Sequence, residues 1–129
     1  MRVFVYFNLH KKLWSVKALE GADRGRVIAH KRMLTLANAT PRVSEKGRQR
    51  VLQERRKNVH AGLVGEWEAT DPDFFVDARA LFSMVEPITY NPYKYKTFMY
   101  RDTDVEYKGS AFAVMDADNR AVYTYEMRP

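Results

Sequence analysis

A chain of 129 residues that is 46% hydrophobic and 29% charged has the size and balance of one folded domain spanning 1–129, and is neither a wholly disordered nor a collagen-like polymer. Cysteine is absent, which removes disulfides, thiol nucleophiles and cysteine-ligated zinc. The net charge of +6 hides a division: residues 1–60 carry 15 Lys and Arg against 4 Asp and Glu, residues 61–129 carry 7 against 12. The first half therefore reads as a polyanion-facing surface unless the second half neutralises it in space. No apolar run approaches the roughly 20 residues of a membrane span, and the opening Met1–Asn8 is too short and too polar for a signal peptide.

Residues 2–19 predict a β-hairpin: Val3 to Phe7 are β-branched or aromatic, and Leu13 to Leu19 resume that character after His10-Lys11-Lys12. Gly21 and Gly25 bracket a turn. Short strands follow at Arg26–His30 and Leu34–Ala37, the second with a period of two. Residues 45–58 predict the main helix, with Ser44 as N-cap, Glu45 in the first turn, and Arg55, Arg56 and Lys57 in the last turn. Its apolar stripe is only Val51 and Leu52, edged by Val43 and Val59, so a broad basic face is left over. Leu63–Thr70 predicts a strand. The spacing of Phe75, Ala78, Leu81, Phe82 and Val85 predicts a second short helix over 74–85, ended by Pro87. Further strands are expected at 88–90, 95–100, 105–115 and 121–127, with a hairpin loop at 116–120 and a bulge at Gly109. The fold class is α+β: one antiparallel, sheet-dominated domain with one main basic helix.

The stretches 3–21, Gly25–His30, Val43–Leu52, Arg56–Gly62 and Tyr90–Tyr95 resemble an uncharacterised family of small proteins carried by tailed bacteriophages. The likeness covers most of 2–65 and part of 88–115, and leaves out Asp71–Glu86. It implies a phage origin and a place of work in the cytoplasm of the infected bacterial host. It transfers no active-site residue.

Three groups of residues carry candidate chemistry. In a helix reaching residue 58, Arg48 aligns with Arg55 and Arg56, and Arg50 with Lys57, at spacings that let each meet a phosphate. Arginine, at 42, 48, 50, 55 and 56, outnumbers lysine, at 46 and 57, and bidentate phosphate binding favours it. Lys11, Lys12, Lys31 and Arg32 extend the patch. The plain alternative is a solvated surface helix. The second group is His10, His30 and His60. His60 directly follows the basic helix, where like charge favours the neutral, proton-accepting ring. That suits a metal-independent ribonuclease of barnase-like or RelE-like architecture, with Arg48, Arg55 or Lys57 on the phosphate. A structural hydrogen bond is the simpler role for a lone histidine, and the three have no metal-ligand spacing. The third group is Tyr90–Tyr100, where tyrosines interleave with lysines. As a strand it would put Tyr93, Tyr95 and Thr97 on one face for base stacking, or would simply present one core face and one wet face.

No Walker A loop, G-x-G-x-x-G, H-E-x-x-H or G-x-S-x-G occurs, so no cofactor or metal is implied. The leading expectation is a nucleic-acid-binding accessory protein without catalysis, acting through Lys11, Lys12, Lys31, Arg32, Lys46, Arg48, Arg50, Arg55, Arg56 and Lys57. The alternatives are a ribonuclease with His60 as base and an inhibitor of a bacterial host protein or defence complex, binding an acidic surface of its target. No membrane partner is expected.

Overall fold

Strand alternation sets the architecture. In the computed structural model, which describes residues 1–68, 85–101 and 103–125, β1 (Arg2–Asn8) and β2 (Leu13–Ala18) form the expected hairpin. Val3 lies opposite Ala18, Val5 opposite Val16 and Phe7 opposite Trp14. Directly opposed residues share a face, so one side of the ribbon is apolar, and Val3, Val5, Val16 and Ala18 are fully buried. Asn8 shapes the turn: its Oδ1 accepts from the backbone N–H groups of His10 and Lys11, and Lys12 adopts a left-handed φ of 56°.

β3 (Val27–Lys31) and β4 (Met33–Val43) are separated only by Arg32, yet they serve different neighbours. β3 pairs with β2; β4 pairs with β5 (Ala61–Glu66) and β8 (Ser110–Asp116). In a flat sheet β3 and β4 would lie four strand spacings apart, about 19 Å, whereas a one-residue link spans at most about 7 Å between Cα atoms. The sheet must therefore curl. Its register closes the circuit: Ala29 pairs with Val16, Val16 with Val5, Val5 with Leu63 and Leu63 with Pro41, further along the same extended segment. This stagger is what a rolled, barrel-like sheet requires. A bulge between Ala37 and Thr40, with Asn38 at φ 51°, bends β4 as it passes from β8 to β5. Gly65 allows the close approach there, since a Cβ at that position would sit 2.8 Å from the Ala37 carbonyl oxygen.

β9 (Ala121–Tyr125), β6 (Val85–Thr89) and β7 (Met99–Tyr100) continue the sheet beyond β8. The strand order is β3-β2-β1-β5-β4-β8-β9-β6-β7, antiparallel throughout. One core fills the roll, with Val5, Val16, Leu36, Leu63, Tyr107 and Met115 almost wholly excluded from water.

The described residues are thus mostly β, and α1 (Glu45–Glu54) is the helix among them. The predicted helix over 45–58 stops four residues early. Arg55 takes the left-handed conformation (φ 54°, ψ 31°) and donates its N–H to the Val51 carbonyl, which closes the helix. The chain then runs back to β5, tied by the Ser44 N–H to the His60 carbonyl at 2.7 Å. Residues 74–84 of the second predicted helix lie outside the described residues, and Val85, its last residue, begins β6. The strand expected over 95–100 shrinks to Met99–Tyr100, because Asn91 nucleates a turn: its carbonyl accepts from Lys94 and Tyr95, and its side chain from Tyr93. The strand expected over 105–115 begins only at Ser110, after Gly109 at φ 140°.

Candidate nucleic-acid interface

Ser44 starts α1 as expected, its Oγ accepting from the Gly47 N–H at 3.2 Å. Glu45 accepts from Gln49 Nε2 at 2.9 Å and from Arg48 Nη1 at 3.2 Å. The Gln49 hydrogen bond is the main cause that holds the Glu45 carboxyl below its ordinary range, with the Arg48 and Lys96 charges assisting.

Arg48 was expected on the exposed face, aligned with Arg55 and Arg56. It is instead buried, with its Nε donating to the carbonyls of Pro92 (3.0 Å) and Tyr95 (3.1 Å). It pins the loop that follows Tyr90 against α1. The helix stripe is thin in apolar residues because an arginine fills one of its inward positions. The i, i+7 alignments of Arg48 with Arg55 and Arg50 with Lys57 do not form either, since the helix ends at Glu54.

The other cations of this segment are exposed. Lys46 and Arg50 lie one turn apart on the solvent side of α1, and Arg55, Arg56 and Lys57 are exposed at the cap and on the irregular segment that follows it. Among the described residues none of these five is in an ion pair; the side-chain pairs there are Arg48–Glu45 and Arg32–Asp118. Lys11 and Lys12 are exposed at the β1–β2 turn, Lys31 is half-buried at the end of β3, and Arg32 is exposed 3.6 Å from the Asp118 carboxylate. Among the described residues, an acidic side chain of the second half reaches Arg32 and none pairs with Lys46, Arg50, Arg55, Arg56 or Lys57. β1 leaves the sheet at the end where β5 enters it, because Val5 faces Leu63 in antiparallel register. The Lys11–Lys12 turn and the segment joining α1 to β5 therefore share one end of the sheet.

The loop pinned by Arg48 adds cations that the sequence had placed in a strand. Tyr93, Lys94 and Lys96 are exposed, and Lys96 is close enough to act on Glu45.

His60 sits behind this cluster. Its Nδ1 lies 3.1 Å from both the Asn58 carbonyl and Asn58 Oδ1, and its Nε2 lies 2.7 Å from the Tyr90 hydroxyl. A backbone carbonyl only accepts, so Nδ1 carries the proton, and in the neutral ring Nε2 accepts from Tyr90. Gly47 backs the ring: a Cβ there would stand 2.4 Å from His60 Cβ. Tyr90 also packs on Phe98, with ring centroids 5.1 Å apart. Burial pushes the Tyr90 hydroxyl above its ordinary value, and the nearby Arg48 charge opposes that; burial likewise raises Tyr125. His30 bonds Ser15 through Nδ1 at 2.9 Å, but Ser15 has no exposed surface. His10 is exposed at the hairpin turn. Tyr90 and Asn58 were not singled out as partners of His60. Tyr90 is 30 residues away, just past the end of β6, and no local spacing announces it.

The sequence model of the family described as Mycobacterium phage L5 gene 82 protein matches residues 1–124. This chain belongs to that family. The Gene 82 protein of Mycobacterium phage L5 is 43% identical over 116 residues, covering 85% of this chain and 86% of the relative. The matched span of the gene 82 family runs through 71–86, the segment that the sequence resemblance left out. No solved structure matches. Among the described residues of this gene 82 family member, no helix is long and apolar enough to cross a membrane, and no group of His, Asp and Glu could hold a metal ion.

Proposed function

We propose that this gene 82 family protein binds nucleic acid as a phage accessory factor in the cytoplasm of the infected bacterium, without a cofactor. One observation carries the reading: Lys46, Arg50, Arg55, Arg56 and Lys57 are exposed together and have no carboxylate partner among the described residues. Long side chains of one sign on one surface repel each other, and a strand of phosphates relieves that repulsion while releasing its condensed counterions. Lys94, Lys96 and the exposed ring of Tyr93 lie on the loop pinned to the same helix, where a ring beside cations suits an unpaired base.

The proposed contact set leaves out Arg48, which is buried with its Nε on the Pro92 and Tyr95 carbonyls and its Nη1 on Glu45. The direct ribonuclease reading, with His60 as a free base, loses support for a similar reason: both ring nitrogens are engaged within the chain.

The test is a salt titration on duplex DNA. Five phosphate contacts give a log–log slope of about −4.5, and the triple change Arg55→Ala, Arg56→Ala, Lys57→Ala brings it to about −2. A slope unaltered by that change, or a flat response in the intact protein, refutes the reading. Recovery of a protein partner that survives nuclease treatment would then point to a host-protein target instead.

A further inference from the structure

Beyond binding, the site holds an arrangement for which a polyanion clamp has no use. A nucleophile, a base within hydrogen-bond reach of it and a third group orienting the base make a reactive set. The Tyr90 hydroxyl, the His60 imidazole and Asn58 stand in that relation. The hydroxyl-to-Nε2 distance is 2.7 Å, and Asn58 holds Nδ1 from the other side. We infer that Tyr90 is a nucleophile for phosphodiester transfer on a nucleic-acid strand held by the adjoining cations, with His60 as its base.

Four observations support this. Tyr90 and His60 are both half-buried, so the pair is reachable from solvent, unlike the His30 pair with its enclosed serine. Lys57, the last residue of the exposed cationic run, immediately precedes Asn58, whose carbonyl and Oδ1 each lie 3.1 Å from His60 Nδ1, so the run leads directly into the His60 site. His60 is packed on Gly47 with no room for a Cβ between them, and Tyr90 against Phe98, which fixes both rings. A phenol is protonated at neutral pH and burial pushes Tyr90 further that way, so it needs a base to react; the Arg48 charge favours the phenolate as it forms, against the smaller opposing charge of Glu45.

The step balances without an added reagent. Tyr90 Oη attacks phosphorus and its proton passes to His60 Nε2. The P–O bond to one sugar breaks, and the imidazolium returns the proton to the leaving alkoxide. The product is a phosphotyrosyl link to one strand fragment and a free hydroxyl on the other. Reversal, or attack by water, restores the tyrosine.

This inference rests on the nucleic-acid reading, and the experiment separates the two. Intact protein is incubated with end-labelled, randomised single-stranded DNA and RNA pools and with bis(p-nitrophenyl) phosphate. Part of each nucleic-acid reaction is denatured in detergent to reveal labelled protein, and part is used to measure binding. We expect a covalent adduct and nitrophenol release. Tyr90→Phe, which keeps the ring on Phe98, reduces both to background, and His60→Gln reduces both by at least about 100-fold. Both variants retain salt-dependent binding and a native circular dichroism spectrum. Binding by intact protein with neither adduct nor nitrophenol overturns this inference alone. So does adduct formation undiminished by Tyr90→Phe. RNA cut without an adduct assigns the attack to the ribose 2′-hydroxyl and overturns it too. No binding at all removes the nucleic-acid reading, and this inference with it.

Discussion

Replacing Arg48 distinguishes a structural strut from a phosphate contact. Its guanidinium gives two hydrogen bonds through Nε to the carbonyls of Pro92 and Tyr95, and an ion pair to the half-exposed Glu45. A hydrogen bond from a charged donor contributes about 1.5–3 kcal/mol. One Nε–H shared between two carbonyls counts as about one and a half such bonds, whereas the Glu45 pair, open to water on the carboxylate side, adds little. Arg48→Met keeps the buried stem and loses the donors, so it should destabilise the protein by about 3 kcal/mol. At roughly 3–5 °C per kcal/mol for a domain of this size, the melting temperature should fall by about 10–15 °C. Urea denaturation of the two proteins measures the difference, and the slope of nucleic-acid binding against salt is measured below the variant's transition. A loss under about 1 kcal/mol would mean that water already serves the two carbonyls. A salt slope that drops by about 0.9 in the folded variant would mean that Arg48 meets a phosphate after all. Either result refutes the strut.

Two further substitutions probe the same region. Gly47→Ala improves intrinsic helix propensity by about 1 kcal/mol, but its methyl would meet His60 Cβ at 2.4 Å; a net destabilisation of about 1–2 kcal/mol is expected in thermal unfolding, and a stabilised variant contradicts the packing of His60 on α1. Arg55→Gly relieves the left-handed strain of the cap and should stabilise by up to about 1 kcal/mol while removing one phosphate contact, so a melting curve that rises as affinity falls is the expected pair of outcomes, and the absence of either disputes the corresponding half of the argument.

Much of the fold was legible in local pattern. The β1–β2 hairpin follows from alternation on both sides of a polar turn, the start of α1 from Ser44 and Glu45, and the β8–β9 hairpin from the polar run 116–120 between two apolar strands. The end of α1 was not legible. Arg55, Arg56 and Lys57 are good helix formers and suit a last turn, and what stops the helix is the need to bring His60 back to Ser44 at the mouth of β5. The strand expected at 95–100 failed similarly, because Asn91 and the buried guanidinium of Arg48 hold residues 92–95 as a loop.

The amino-acid sequence alone determined that this is a cysteine-free, sheet-rich domain with its positive charge gathered before residue 60, and that it looks like a phage protein; composition and period-two alternation are properties of neighbouring residues and need no fold to be read. Tertiary structure decided the rest. It rolled the sheet so that 27–43 pairs with β2, β5 and β8, turned Arg48 inward while leaving Arg50 and Arg55–Lys57 in water, and set Tyr90 against His60. Each of these depends on which distant strands pair and in what register, and a charge or a hydroxyl has the same local signature whether it ends in solvent or on a carbonyl far along the chain.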